Sequence, residues 1–247
     1  MATTIPKVLH KIGGKTVLSR TTEALYKAGV DKVCVVVSRD HKEFQPFVAA
    51  NPHIYFCIQN LRNGTAGAVA SCDCVFEGIS PPSYASGKLL KGSQISPPVK
   101  LLITPGDLPF VNSDDLHEFI NEGMLNTRAP LGMVAMTPPN PQGYGRVSLD
   151  QKGFVKDIVE ETDASTQEKK INLCNSGVIF ADCEKLFSLL QKIDNKNSQK
   201  EYYLTDVMRL AAKQNTPGFV KTASNWKDFI GINTQAQLEQ AKEMFEQ

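Results

Sequence analysis

The feature that most constrains the fold is a run of five apolar residues at positions 33–37, four of them valine. An uninterrupted β-branched run of this length is typical of a strand that is buried on both faces of a sheet. The preceding residues 17–28 carry apolar side chains at helical spacing, and Gly29 follows as a helix terminator. A second buried run lies at 101–104. Because parallel strands are joined through helices, this alternation predicts an α/β fold with a mostly parallel sheet and helices on both faces.

The rest of the first half continues this pattern, and the second half changes it. A strand is predicted at 54–58, and helices at 41–50, 65–76 and 114–124, the last capped by Asn112 or Ser113. Beyond residue 130, strand-like segments follow one another with turns between them, at 131–137, 145–149, 154–160 and 171–180. Three helices are then predicted at 183–192, 202–213 and 234–246. We therefore expect a mixed β region on the far side of the sheet.

The composition argues against several classes of protein. The 247 residues carry a net charge of +1, which gives no indication of a nucleic-acid surface or of a polybasic patch for membranes. No apolar run is long enough to span a bilayer, and the N-terminal residues lack the basic and apolar regions of a secretory signal. We therefore expect one cytoplasmic domain over residues 1–247, without nucleic-acid or membrane partners. The sequence does not determine its oligomeric state.

The six cysteines lie mostly in apolar segments and point to a reducing compartment. Cys72 and Cys74 are two residues apart on a predicted helix, so that their side chains diverge, and no second pair has the spacing of a zinc site. The sequence therefore predicts that all six are structural thiols.

Residues 78–100 interrupt the pattern with two Pro-Pro pairs and five serines. This composition predicts a flexible insert without regular structure. A tolerated insertion is the simpler interpretation, because lengthening a loop costs little free energy. A regulatory or partner-binding loop is the alternative.

Asp107 is a candidate for a chemical role because it closely follows the buried strand at 101–104. Ligands of open α/β sheets bind at the carboxyl ends of the strands. A carboxylate there suits a hard cation that carries a nucleotide phosphate, and Gly106 lets a ligand approach closely. The alternative interpretation is an aspartate that only caps the following turn.

Two further segments carry polar groups that suit a nucleotide. Gln59 can make paired hydrogen bonds to a pyrimidine edge, and Gly64-Thr65 begins a helix whose free amides and hydroxyl can hold an anion or a base carbonyl. Lys7, which follows Pro6 in a short segment, is a candidate phosphate contact. Each segment alone has a simpler interpretation, as a capped helix or a solvated lysine.

The combination of eight motifs in one order is more specific than any of them alone. They are Pro-Lys-Val-Leu-His-Lys-Ile-Gly-Gly-Lys at 6–15, Gln59 with Gly64-Thr65, Pro-Gly-Asp at 105–107, Gly-Tyr-Gly-Arg at 143–146, Ile-Val-Glu at 158–160, Asn-Ser-Gly at 175–177, Glu-Tyr-Tyr-Leu-Thr-Asp at 201–206 and Gly-Ile-Asn at 231–233. Together they closely resemble the pyrophosphorylase half of the bacterial bifunctional N-acetylglucosamine-1-phosphate uridylyltransferases. The resemblance covers essentially the whole chain except residues 78–100.

This resemblance implies a Rossmann-like nucleotidyltransferase fold and a reaction that supplies a cell-envelope (peptidoglycan) precursor. UTP and N-acetylglucosamine-1-phosphate would give UDP-N-acetylglucosamine and pyrophosphate. Such a reaction needs cations that bring two anions together, and no covalent nucleophile. The resemblance implies Mg²⁺ as the cofactor, with Asp107 and Asn233 as its ligands, and Lys7 as a group that neutralises phosphate charge.

The resemblance also implies which residues bind the two substrates, UTP and an amino-sugar-1-phosphate. The residues that would hold the uracil are Gln59, Gly64 and Thr65. Gly106 and Asp107 would lie beside the ribose and the phosphates. The amino sugar would be bound by Gly145, Glu160 and Asn175, with Glu160 accepting hydrogen bonds from sugar hydroxyls, and residues 201–206 would shape the sugar side.

The sequence departs from the family pattern before Pro6. The family fold opens with a strand and a loop of the type Leu-Ala-Ala-Gly-x-Gly-Thr-Arg-Met, whereas Met1 lies only five residues before Pro6. That loop would wrap the triphosphate with backbone amides and supply an arginine, and Lys7 cannot replace it. Without the strand, the strands at 33–37 and 101–104 would each lose a neighbour, leaving buried backbone groups unpaired.

Three explanations of this departure follow, of which we favour the first. The start of the protein lies upstream, another segment fills the gap, or the chain is a remnant. A binding module that keeps the uracil and sugar pockets without turnover is the alternative to an active enzyme. Pro105 also differs from the aromatic or small residue that is common in the family, and no acetyltransferase chemistry is expected from these residues.

Overall fold

The structure, a computed structural model, describes residues 5–38, 42–72, 99–126 and 128–246. In chain order the helices are α1 (Val17–Lys27), α2 (Gln45–Ala50), α3 (Thr65–Ala70), α4 (Ser113–Leu125), α5 (Cys183–Leu190), α6 (Asp206–Lys213) and α7 (Gln235–Glu246). The strands are β1 (Lys11–Ile12), β2 (Lys15–Thr16), β3 (Cys34–Ser38), β4 (Tyr55–Gln59), β5 (Lys100–Ile103), β6 (Leu131–Met136), β7 (Arg146–Leu149), β8 (Val155–Val159), β9 (Cys174–Asp182) and β10 (Phe219–Thr222). In the described ranges, no helix combines the length and the apolar character that crossing a membrane requires.

The largest sheet contains six strands of the described chain. Its path runs β10-β6-β9-β7-β8, and β5 pairs with the other end of β9. β6 and β10 pair in parallel, whereas β9 runs antiparallel to its three neighbours β5, β6 and β7. The predicted α/β class, with a mixed β region in the second half, is confirmed.

The residues of β6 alternate between two hydrophobic clusters, one on each face of the sheet. Val134 and Met136 pack on the side that carries α1 and α4, while Met133 and Ala135 pack on the side that carries α5 and α6. This alternation follows from the period of two residues in a strand. Because both faces are covered, every side chain of β6 is buried. Helices therefore lie on both faces of the sheet, as the sequence predicted.

Three phenylalanine rings fill the space between α4 and the sheet. Phe119 lies 5.4 Å from Phe219 and 6.2 Å from Phe180 between ring centroids. Burying each ring stabilises the fold by about 1.5–3 kcal/mol. Gly132 makes room for this packing, because a Cβ there would come within 2.2 Å of the Phe219 ring.

β3 and β4 form a separate two-stranded parallel sheet. Among the described strands, none joins β3 to β5, and β5 is hydrogen-bonded only to β9. All four residues of β5 are half-buried. β3 and β5, which the sequence analysis treats as neighbours of one further strand, thus each have an edge without a partner among the described residues.

Several elements differ from the predictions in extent. The helix predicted at 202–213 begins at Asp206, because the backbone of Tyr202 pairs with Asn63 and Ala66. β10 and the β1–β2 hairpin were not predicted, since each is too short for a periodic pattern. Of the two proposed caps of α4, Asn112 is the one that accepts hydrogen bonds from the first helical amides.

Parts of the predictions fall on residues that the structure does not describe. The insert at 78–100 is described only at residues 99 and 100, and residue 100 already belongs to β5. The predicted helix 65–76 is described to residue 72, where α3 has ended at Ala70. Residues 1–4 and 41, and Cys74, also lie outside the described ranges.

Candidate active site

One lysine ammonium joins two oxygens from distant parts of the chain. Lys7 Nζ donates to Asp107 Oδ2 at 2.5 Å and to Asn233 Oδ1 at 2.5 Å. The two acceptors come from segments that follow β5 and precede α7. Since one cation contacts both oxygens, Asp107 and Asn233 are close enough to share a single ion, as the resemblance implies.

Backbone contacts hold these two segments together. The amide of Ile232 donates to the carbonyl of Asp107 at 3.1 Å. A Cβ at Gly231 would lie only 3.2 Å from Asp107 Oδ1, so a glycine there permits the close approach. The hydroxyl of Thr21 on α1 donates to the carbonyl of Leu108 at 3.0 Å and so ties the residue after Asp107 to α1. Asp107 is thereby held with only 8% of its surface exposed.

The donor set at this point fits a magnesium ion. A carboxylate oxygen and an amide oxygen are hard ligands, and Mg²⁺ is commonly bound through one or two protein oxygens together with substrate phosphates and waters. The Lys7 ammonium already occupies a position where a cation contacts both oxygens. With 41% of its side chain exposed, Lys7 has room to turn towards a phosphate. Asp107 and Asn233 would then hold the metal.

The loop from Gln59 to Thr65 is braced by its own side chains. Gln59 Nε2 donates to Asn63 Oδ1 at 3.2 Å and to the carbonyl of Gly64 at 3.1 Å. Both amide hydrogens of Gln59 are therefore used within the loop. The paired hydrogen bonds to a pyrimidine that the sequence suggests would require Gln59 to release these contacts.

The same loop is fixed to the segment that precedes α6. Tyr202 donates its amide hydrogen to Asn63 O at 2.7 Å and accepts from the Ala66 amide at 3.0 Å. The hydroxyl of Thr65 accepts from the amide of Leu204 at 2.9 Å. These bonds join the segment expected to bind the base to the segment expected to shape the sugar side.

Glu160 marks a second cluster at the ends of β7, β8 and β9. Thr205 donates to Glu160 Oε1 at 2.9 Å, and a Cβ at Gly145 would lie 3.2 Å from Glu160 Oε2. The amide of Asn175 donates to the carbonyl of Gly145 at 2.8 Å. The three residues expected to bind an amino sugar, Gly145, Glu160 and Asn175, therefore lie together.

Burial raises the pKa of Glu160 above its usual value. The hydrogen bond from Thr205 acts in the opposite direction, and the charges of Asp163 and Asp206 add to the increase. An ionised carboxylate accepts hydrogen bonds at both oxygens, whereas protonation turns one of them into a donor. The environment therefore makes the acceptor sensitive to pH at less acidic values than an ordinary glutamate.

Pro105, two residues before Asp107, packs against Gly177, two residues after Asn175. A Cβ at Gly177, whose φ is 84°, would lie 2.6 Å from the Pro105 ring. Burial raises the pKa of the Tyr144 phenol, and the charges of Cys174 and Asp107 add to this increase. Gly106 lies between Pro105 and Asp107, and a Cβ at Gly106 would lie 3.4 Å from the Leu18 side chain. The segments that carry Asp107 and Asn175 are therefore in contact.

Sequence reasoning missed two contributors to this site. It did not identify Thr205 as the partner of Glu160 or the electrostatic interaction of Tyr144 with Asp107. Both residues lie within quoted motifs, which was the available signal. Their partners are separated by tens of residues, so that neither periodicity nor spacing could reveal the contacts.

Comparison with protein families gives the decisive match. Residues 1–140 match the profile described as the MobA-like NTP transferase domain. The chain belongs to this family. Since the match covers more than half of the sequence and includes Lys7, the loop from Gln59 and Asp107, these candidate residues lie within the shared region.

Curated relatives confirm the resemblance to the pyrophosphorylase half of the bifunctional proteins. The chain is 29% identical to the bifunctional protein GlmU of Syntrophomonas wolfei over 247 residues, which are 100% of this chain and 50% of that protein. It is 30% identical to GlmU of Geotalea daltonii over 241 residues, 98% of this chain and 49% of that protein. The chain therefore spans about half the length of the curated relatives that it matches.

A solved structure supports the fold independently. The fold of this MobA-like domain is similar to that of a protein described as a glucose-1-phosphate thymidylyltransferase from Bacillus anthracis, in complex with sucrose. The TM-score is 0.71 at 15% sequence identity, over 98% of this chain and 87% of the other. At this identity the likeness supports the nucleotidyltransferase fold and does not address the substrate.

Replacing Gly64 by alanine tests the contact between the loop and Tyr202. The φ of Gly64 is 111°, and a Cβ there would lie 2.4 Å from the Tyr202 carbonyl oxygen. Gly64→Ala is expected to lower the free energy of unfolding by about 2–4 kcal/mol in urea denaturation. Gly153→Ala is the control, because Gly153 has a φ of 82° but nothing within 4 Å of a built Cβ. It should cost only about 1–2 kcal/mol. Equal losses would contradict the contact.

Removing the Lys7 ammonium tests whether it occupies a cation position. Lys7→Met should bind Mn²⁺ more tightly than the unaltered domain in the absence of nucleotide, by roughly threefold or more, because no internal cation has to be displaced. Isothermal titration or electron paramagnetic resonance measures this affinity. Lys11→Met is the matched control, because Lys11 is the exposed residue of β1, and it should leave the Mn²⁺ affinity unchanged. Weaker Mn²⁺ binding by Lys7→Met would show that the ammonium does not compete for the site.

Proposed function

We propose that this domain is a sugar-1-phosphate nucleotidyltransferase of the cytoplasm that converts UTP and N-acetylglucosamine-1-phosphate into UDP-N-acetylglucosamine and pyrophosphate. The observation that carries the proposal is the convergence of Lys7, Asp107 and Asn233 at one point, with Pro105 of the Asp107 segment packed against Gly177 of the Asn175 segment. A phosphate-binding group and a hydroxyl-binding group side by side suit a sugar phosphate. The names of the bifunctional GlmU relatives agree with this reaction class.

The residues of this chain have distinct parts in the proposed reaction. An oxygen of the sugar phosphate attacks the α-phosphorus of UTP, and pyrophosphate leaves. Mg²⁺ held by Asp107 and Asn233 would neutralise charge on the phosphates. Lys7, released from its contacts with these two residues, would donate to a phosphate oxygen. Much of the rate acceleration then comes from holding the two anions in line.

The sugar is held by the second cluster in this proposal. Glu160, oriented by the Thr205 hydroxyl, accepts hydrogen bonds from sugar hydroxyls. Because Gly145 has no side chain, its backbone can approach the sugar ring closely. Asn175 on β9 adds a polar side chain to the same cluster. Because Pro105 lies against Gly177, the sugar and the phosphates bind in a fixed relation to each other.

The base is read by the loop from Gln59 to Thr65 in this proposal. Gln59 exchanges its bonds to Asn63 and Gly64 for bonds to the uracil edge, so that nucleotide binding is coupled to a rearrangement of the loop. The Thr65 hydroxyl and the backbones of Asn63 and Ala66 remain bonded to residues 202–204 and keep the loop in place.

A second candidate function is binding of a sugar nucleotide without turnover. One observation favours it. Among the residues that the structure describes, Lys7 is the basic side chain that hydrogen-bonds to Asp107 or Asn233. A single ammonium is a point charge, and departure of pyrophosphate calls for several donors around the leaving group.

A turnover assay separates the two functions. With UTP, N-acetylglucosamine-1-phosphate and Mg²⁺, the protein should release pyrophosphate and form UDP-N-acetylglucosamine. Asp107→Asn should lower kcat by about 100-fold or more. Asp31→Asn, at an exposed loop position, is the matched control and should keep full activity.

Thermal unfolding with UDP-N-acetylglucosamine completes this test. At 100 times its Kd, the ligand should stabilise the domain by about 2.7 kcal/mol. Stabilisation without pyrophosphate release supports the binding function instead. The absence of both contradicts both candidates.

The raised pKa of Glu160 predicts a specific pH dependence. As the pH falls, the neutral carboxyl appears at less acidic values than for an exposed glutamate, and KM for the sugar phosphate should rise. Glu160→Gln removes this titration, so its KM should be higher and vary less with pH. Any remaining variation belongs to the phosphate of the substrate, whose second pKa is about 6. Glu168→Gln, at a half-buried position outside both clusters, should keep the original profile. An unchanged profile in Glu160→Gln would refute the assignment.

A further inference from the structure

Three cysteine side chains from three different segments of the described chain meet at one point. Cys34 lies on β3, Cys57 on β4, and Cys72 lies two residues beyond the end of α3. Their sulfur atoms all lie within 4.8 Å of one another. The Cys34–Cys57 distance is 3.4 Å and the Cys34–Cys72 distance is 3.9 Å between Sγ atoms.

The sheet register explains why the first two cysteines share a face. β3 and β4 pair in parallel with Val36 opposite Cys57. Alternate residues of a strand point to the same side, so Cys34 and Val36 lie on the face that carries Cys57. Cys72 then approaches from the helical turn above this face. The spacing of the cysteines along the chain could not show this arrangement, because each comes from a separate element.

We propose that Cys34, Cys57 and Cys72 bind one thiophilic cation, Zn²⁺ or Cu(I), through three thiolates. Zinc–sulfur bonds are about 2.3 Å long, so two thiolates on one zinc ion lie roughly 3.8 Å apart. The sulfur distances of 3.4 Å and 3.9 Å differ from this value by only a few tenths of an ångström. Three thiolates satisfy Cu(I), and Zn²⁺ would take a small fourth ligand such as water.

No disulfide joins the three cysteines, whose sulfur atoms converge on one point. The thiolate is the form of cysteine that binds a metal. On metal binding, each thiol that becomes a ligand gives its proton to solvent.

The position of the cluster gives the cation a structural effect. β4 carries Gln59 at its carboxyl end, and α3 begins at Thr65 of the same loop. A cation held by Cys34, Cys57 and Cys72 would join β3, β4 and the end of α3. It would thus fix both ends of the loop from Gln59 to Thr65. Binding of the cation itself does not depend on the proposed enzymatic function.

Metal titration of the whole chain tests the proposal. Zn²⁺ and, in a separate arm, Cu(I) are titrated in a non-thiol reductant against a chromophoric chelator. We expect one tightly bound equivalent. Cys34→Ser, Cys57→Ser and Cys72→Ser should each weaken it by at least about tenfold. Cys183→Ser is the matched control, because Cys183 is buried at the start of α5, in the hydrophobic cluster around α5 and α6. This variant should keep the full metal affinity.

A second measurement keeps the test independent of variant folding. X-ray absorption of the unaltered protein loaded with each metal should show three sulfur atoms in the first shell. Circular dichroism of the metal-free variants confirms that they are folded. Tight binding of either ion with three sulfur ligands supports the site and identifies the ion. Equal binding by all variants, fewer than three sulfur ligands, or no bound equivalent of either metal overturns it.

Discussion

The contact of Lys7 with Asp107 and Asn233 is the interaction on which the site depends. It joins the beginning, the middle and the end of the described chain at one point. A carboxylate as buried as Asp107 needs a partner, because an unpaired buried charge is costly. Lys7 provides this partner as long as no other cation is present. The same arrangement leaves two hard oxygens facing one position, which is where the proposed metal ion would bind.

Backbone hydrogen bonds, more than side chains, hold the remaining parts of the site in register. Gln59 lies at the end of β4 and Asp107 follows β5, and these strands belong to sheets without a shared strand among the described residues. The segment around Tyr202 connects the two sides, since it bonds to Asn63 and Ala66 and continues through Leu204 to Thr205 beside Glu160. The relative positions of the loop from Gln59 to Thr65 and the Glu160 cluster therefore depend on residues 202–205, which have no regular secondary structure.

Local patterns predicted the strands and helices well, and non-local contacts account for what they missed. The valine run predicted both ends of β3 to within one residue, because a strand buried on both faces has a continuous apolar sequence. The start of α6 was wrong because Tyr202 uses its backbone groups in bonds to a loop about 140 residues away. The motifs indicated Asp107, Glu160 and Asn233 as site residues, but not that Lys7 would lie between two of them. The cysteine cluster escaped prediction for the same reason, since its members share no local spacing.

Binding and catalysis make different electrostatic demands on this site. A sugar nucleotide can be held by one lysine, one divalent cation and neutral hydrogen-bonding groups. Transfer from a triphosphate also requires that the charge on departing pyrophosphate be stabilised as it develops, which adds to the charge already present on two phosphorylated substrates. In the proposed function, Lys7 and a metal at Asp107 and Asn233 would meet the first demand and would meet the second only in part. The rate of turnover should therefore depend on how many further donors surround the pyrophosphate, while affinity for the sugar nucleotide should depend mainly on the residues described here.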